Sequence, residues 1–201
     1  TDSFTYLARD DGNLDSNEVT VTLNVAGTGG VLFEDSFEES EWNGKWVEDL
    51  QNDWFRSTAN ATDGSFAAEV DGRANQATLT IAESLDITGM SSVLLTFDWF
   101  IERGFDRREF LALDLSTDGG TTWTQDRQLS GGPGRSVDEG FWHNESIDLV
   151  VAGYESTDLK IRFRCQASSI YEDANVDNVR IEAITVATPL AAIALPSPEQ
   201  T

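Results

Sequence analysis

In Val93-Leu94-Leu95-Thr96-Phe97-Asp98-Trp99, every second residue is large and apolar. An extended chain points alternate side chains to opposite faces, so Val93, Leu95, Phe97 and Trp99 form one apolar face. This period of two constrains the fold most, because it recurs in short segments while helical spacing is almost absent. Strands are expected over residues 31–33, 67–70, 76–81, 92–101, 110–116, 145–149, 159–166 and 175–184. Asp118-Gly119-Gly120 lies between two such runs and is a hairpin signal, since glycine accepts the positive φ of a tight turn. Eight or so short strands at these spacings predict an all-β chain folded as a two-sheet β-sandwich over residues 31–184.

Charge narrows the partners. The 201 residues carry 13 Lys and Arg against 36 Asp and Glu, a net charge of −23. Such a surface repels nucleic acid and anionic membranes and favours divalent cations. No apolar run approaches the 18 residues of a membrane span and no leader-like segment opens the chain, which reads as a soluble, processed or excised piece without membrane insertion. Cys165 is the sole cysteine, so an intrachain disulfide is excluded. It alternates with Ile161 and Phe163, which predicts a packing role.

Residues 1–27 contain two more alternating runs: Phe4 and Tyr6, then Val19, Val21, Leu23 and Val25. Between them Asp11, Asn13 and Asp15 have the odd-position spacing of a calcium loop. Ser16 replaces the required glycine and no glutamate occupies the twelfth place, so an EF-hand is not expected. The segment resembles the last two strands of cadherin-like or Ig-like repeats of bacterial surface proteins. Alternatively, it supplies exchanged strands, because two strands alone are marginal in water. Residues 28–30 read as a linker. Residues 185–201 form a tail whose stretch up to Pro196 is uncharged and apolar, with Pro189 within it and the polar residues 197–201 at its end, either a linker or a segment that docks on a neighbouring domain or subunit.

Several motifs of the central region are recognisable together: Asp35-Ser36-Phe37-Glu38 followed by Trp42 and Trp46, Leu85-Asp86-Ile87-Thr88-Gly89, Ser116-Thr117-Asp118-Gly119-Gly120, Ile161-Arg162-Phe163-Arg164, and Glu172-Asp173-Ala174-Asn175-Val176-Asp177-Asn178-Val179. They resemble the MAM-like and carbohydrate-binding-module-like jelly rolls of secreted bacterial proteins. The resemblance implies a jelly roll and a calcium ion held by Glu38 and Asp177. Backbone carbonyls from Ser36 and near Asp63-Gly64 would complete the shell, and Asp35 or Asp173 could replace a carboxylate. The sequence itself singles out Asp177: simple alternation through the last strand puts it on the apolar face with Val179 and Ile181, where an ionised carboxylate needs a partner.

Catalysis finds little footing. His143 is the only histidine, and nucleophile-elbow, phosphate-loop and zinc-protease motifs are absent. Binding has better candidates. Trp99 and Trp123 fall on apolar faces and are expected in the core. Trp42, Trp46 and Trp54 match packing positions of the related modules. Trp142, with Phe141 and His143, follows a Gly-rich loop and is the expected exposed platform for a sugar ring. Arg103, Arg107 and Arg108 form the densest basic cluster and either pair internally or recognise an acidic glycan.

The sequence therefore predicts a non-catalytic, extracellular or cell-surface β-sandwich, stabilised by calcium, whose partner is a polysaccharide or glycoconjugate. The alternative is a structural subunit of a surface assembly, joined to identical subunits or adjacent domains by terminal strand exchange.

Overall fold

The computed structural model describes residues 2–23, 29–106, 108–130 and 139–184. The chain divides into two units, the larger being Gly29–Ile184. In the smaller, β1 (Asp2–Tyr6) and β2 (Val19–Leu23) pair antiparallel, with Phe4 opposite Val21. Their connection is closed by an ion pair between Arg9 and Asp15 and by Leu14 N–H donating to Asp10 Oδ1 at 2.8 Å. The acidic segment, not expected to be an EF-hand, is thus an internally bonded turn. The segment expected to dock or link, residues 185–201, lies outside the described residues.

The larger unit is the expected all-β sandwich. Its strands are β3 (Val31–Asp35), β4 (Trp46–Glu48), β5 (Trp54–Ser57), β6 (Ala67–Val70), β7 (Asn75–Ile81), β8 (Val93–Ile101), β9 (Phe110–Ser116), β10 (Thr124–Ser130), β11 (Trp142–Asp148), β12 (Lys160–Gln166) and β13 (Ala174–Ala183). One sheet has the order β10-β9-β12-β7-β4. The other runs β11-β8-β13-β6-β5, with β3 also on β13. The short β4 and β5 were not expected; Trp46 and Trp54 anchor them in the core.

Alternation sets the layers. Along β8 the side chains from Val93 to Ile101 are buried at every odd position, and along β12 Ile161, Phe163 and Cys165 do the same from the facing sheet. Phe97 and Phe163 meet edge-on across the interior at 5.1 Å, and Trp46 stacks on Phe37. Full burial of such side chains contributes about 1.5–3 kcal/mol each. Gly119 and Gly120 turn β9 into β10 with φ of 70° and 93°, as the hairpin signal requires.

The centre of the six-stranded sheet carries the irregularity that positions the site. On one edge β13 pairs with β8; on its other edge Ala174–Val176 pairs with β6, while Val179 to Glu182 pairs with β3. Asp177 and Asn178 fall in the gap where β6 and β3 part. There Asn178 has a φ of 51° and the register against β8 shifts between Asp177 and Arg180. One extra residue reverses the alternation. Ala174 and Val176 face the core before the bulge, Val179 and Ile181 after it. Asp177 does not share a face with Val179 and Ile181: it points outward, opposite Asp98.

Candidate ligand-binding site

Asp177 is fully buried, yet by a loop rather than by the core. The chain between β5 and β6 folds over the bulge, and Asp177 Oδ2 accepts the N–H groups of Thr62 at 2.8 Å and Asp63 at 3.2 Å. Its Oδ1 accepts the N–H of Asn178 at 2.7 Å. Burial nevertheless raises its pKa, outweighing these donors. Farther along the same loop, Glu38 Oε1 accepts the N–H groups of Phe66 at 2.7 Å and Ser65 at 2.8 Å, which lower its pKa. Glu38 and Asp177 therefore grip opposite ends of residues 62–66. Gly64, with a φ of 63°, passes so close to the Glu38 carboxylate that any Cβ would collide with it.

Carboxylate oxygens are the ligand type calcium takes, but here those of Glu38 and Asp177 accept backbone N–H groups. Among the described residues no three Asp, Glu, His or Cys side chains converge in metal-binding geometry. A calcium ion at Glu38 and Asp177 would thus draw most of its shell from carbonyls and water. Asp63 is exposed and its N–H is the group that meets Asp177. Asp35 is committed elsewhere: Phe37 N–H donates to Oδ1 at 3.0 Å and the Trp46 indole N–H to Oδ2 at 2.9 Å. Ser36 and Asp63 line the cleft beside the pair.

That cleft, roughly 670 Å³, opens on the outer face of the six-stranded sheet. Its floor is a polar network. Asn144 Nδ2 donates to Asp98 Oδ1 at 2.8 Å and Asn178 Nδ2 to Asp98 Oδ2 at 3.0 Å, while the Thr62 hydroxyl lies 2.9 Å from Asp98 Oδ2. One row along, Trp142 stands opposite Phe100 in the β11–β8 register, and their rings lie 5.6 Å apart. Aromatic and amide–carboxylate rows are thus adjacent on one sheet face. Asp98, Asn144 and Asn178 were missed from sequence. The alternation Trp142, Asn144, Ser146 contained the signal for Asn144, but pairing Asn144 with Asp98 requires the register.

The other expected contact residues separate. Phe141 is 59% exposed. His143 points to the inner face and stacks on Trp99 at 4.3 Å, so it belongs to the sheet edge rather than to the Trp142 platform. Arg103 and Arg108 are exposed, and neither forms an ion pair among the described residues. Arg107 lies outside the described residues.

Trp99 is core as expected, but Trp123 is only half-buried, on the outside of the five-stranded sheet with the Arg162 guanidinium 4.3 Å over its ring. Beside it Asp114, 1% exposed, accepts hydrogen bonds from Arg162 at 2.8 Å and Arg164 at 2.7 Å. Burial opposes ionisation of Asp114, but these arginines outweigh it and lower its pKa. On this face both arginines are paired with Asp114, and Arg162 also lies over the Trp123 ring.

No protein-family model matches the chain, and none of the curated proteins compared with it matches either. Solved structures do. One is the CBM22-1 xylan-binding domain of Paenibacillus barcinonensis Xyn10C, at 16% identity and a TM-score of 0.53, covering 81% of this chain and all of that domain. The K3 cleaved adhesin domain of Lys-gingipain from Porphyromonas gingivalis is similar at 14% identity and a TM-score of 0.54, covering 77% of this chain and 99% of the other. The C-terminal family 22 carbohydrate-binding module of Clostridium thermocellum Xyn10B gives 16% identity, a TM-score of 0.53, and coverage of 77% and 94%. At these identities the likeness establishes architecture: the chain contains a β-sandwich of the carbohydrate-binding-module and cleaved-adhesin fold.

Proposed function

We propose that this protein is a non-catalytic extracellular module that binds a glycan on the outer face of its six-stranded sheet. The carrying observation is the adjacency of the Trp142–Phe100 pair and the Asp98–Asn144–Asn178 network beside an open cleft. The flat apolar faces of aromatic rings match the C–H faces of pyranoses, and fixed amides and carboxylates read hydroxyl groups. Solved domains of this fold that are named xylan-binding or adhesin are consistent with that use. A calcium ion held by Glu38 and Asp177, with carbonyls of Ser36 and the Asp63-Gly64 segment, would clamp the covering loop and set the cleft wall.

A panel of soluble polysaccharides titrated calorimetrically tests the reading. At least one should bind, and Trp142→Ala and Asn144→Ala should each weaken it at least tenfold while a cooperative melting transition shows that the sandwich stays folded. Binding indifferent to both substitutions would remove the glycan from this face.

The alternative, a subunit of a surface assembly joined by strand exchange, has one observation in its favour. Phe4, Tyr6, Leu7 and Val19 of the hairpin unit are all exposed, and strand addition would cover them. Light scattering across a wide concentration range decides it: oligomers lost on removing residues 1–27 favour assembly, and a monomer throughout excludes it.

A further inference from the structure

Away from the Glu38–Asp177 pair, two glutamates are buried together at the sandwich end formed by the β8–β9 and β12–β13 loops. Glu109 is 3% exposed and Glu172 9%. Each carboxylate spends one oxygen on its own loop. Glu109 Oε2 accepts the Asp106 N–H at 2.6 Å, and Glu172 Oε2 accepts the Ser169 and Ser168 N–H groups at 2.7 and 3.1 Å. Glu109 Oε1 is buried without a hydrogen-bond donor, and the Glu109 side chain lies against the Glu172 carboxyl.

The surroundings add negative charge. Glu139, also buried, accepts the Gly104 N–H at 3.1 Å, and Gly104 itself, with a φ of 130°, packs against Glu172. Arg103 and Arg108, although they belong to the same loop, form no ion pair among the described residues. Burial raises the Glu172 pKa and the neighbouring Glu109 charge raises it further, whereas Glu109 is held low by its hydrogen bonds despite burial. Two adjoining buried carboxylates, each fixed on one oxygen by its own loop, with Glu109 Oε1 left without a donor, make half of an oxygen cage.

We propose that Glu109 and Glu172 hold a calcium ion that clips the β8–β9 loop to the β12–β13 loop, at a site separate from Glu38 and Asp177. Calcium suits the pair because it accepts irregular shells of six to eight oxygens, so loop carbonyls and water can supply the remainder; magnesium demands a near-ideal octahedron. A cation also removes the repulsion that otherwise forces a proton onto one of two adjoining buried carboxylates.

Calcium titration of the chelator-treated full chain by calorimetry reads the two sites separately. Wild type should take up two equivalents, Glu109→Gln one, Asp177→Asn one, and the double substitution none. If only the Glu109–Glu172 site binds, wild type takes one equivalent, lost in Glu109→Gln and kept in Asp177→Asn, so failure of the first site is recognisable. Melting supplies a second readout. Without calcium Glu109→Gln should raise the melting temperature, because the new amide can donate to Glu172; with calcium it should abolish part of the calcium-induced rise. Unchanged calcium stoichiometry in Glu109→Gln, together with a melting temperature raised equally in both buffers, would overturn the site and leave a proton-sharing pair.

Discussion

Asp177 and Asp98 stand directly opposite each other on neighbouring strands, both facing outward, with the Thr62 hydroxyl between them at 3.1 and 2.9 Å. Like charges across a strand pair destabilise a sheet. Here donors from Thr62, Asn144 and Asn178 converge on the two carboxylates. The bulge at Asn178 creates this arrangement, and without it Asp177 would be driven into the core.

Asn178 is therefore a backbone determinant as well as a hydrogen-bond donor. Its left-handed φ of 51° is tolerated by asparagine and glycine but costs other residues about 1–2 kcal/mol. Asn178→Ala should lower stability by about 2 kcal/mol, combining that strain with the lost bonds to Asp98 and Thr62, and Asn178→Gly by about half as much. Urea unfolding measures both, and an alanine variant as stable as the glycine one would contradict the role of the bulge.

Chelation should lower the melting temperature if calcium binds between Glu38 and Asp177. A ligand at a hundredfold excess over its Kd stabilises the folded state by about 2.7 kcal/mol. Glu38→Gln and Asp177→Asn should each reduce the response to chelator. Gly64→Ala should do so as well, because its Cβ displaces the Glu38 carboxylate. Equal chelator responses in wild type and all three variants would exclude a metal at this loop.

Acid should attack the five-stranded sheet through Asp114. Its folded pKa lies below the ordinary 3.8, so its contribution is complete above that value and disappears as pH falls through the lowered one. Asp114→Asn should cost about 2–4 kcal/mol at pH 7, near the low end for breaking a buried pair because Arg162 and Arg164 keep some contact with water. The difference from wild type should shrink below pH 4. A difference constant from pH 7 to pH 2 would mean that the Asp114 charge is not the stabilising element.

Cys165 offers a probe of unfolding. It is fully buried, and burial pushes the thiol well above its ordinary pKa. A disulfide reagent at pH 8 should leave it unmodified in native conditions and label it at the unfolding rate in urea. Rapid native labelling would contradict the closed packing of β12.

Much of the fold was legible in the chain. Val93, Leu95, Phe97 and Trp99 lie inward as their alternation requires, because a pleated strand leaves each side chain only two faces and water penalises the wrong one. The Asp118-Gly119-Gly120 hairpin followed from local backbone sterics. Other decisions were tertiary. Asp177 changed face because of one extra residue in β13, and a bulge is visible only in the register between strands. Trp123, expected in the core, lies outside, where Arg162 reaches over its ring from β12, two strands from β10. The pairing of Asn144 with Asp98, and of Glu109 with Glu172, joins residues 46 and 63 positions apart, which no local pattern relates. Sequence determined which residues could be buried; strand order and loop closure decided which of the polar ones would meet.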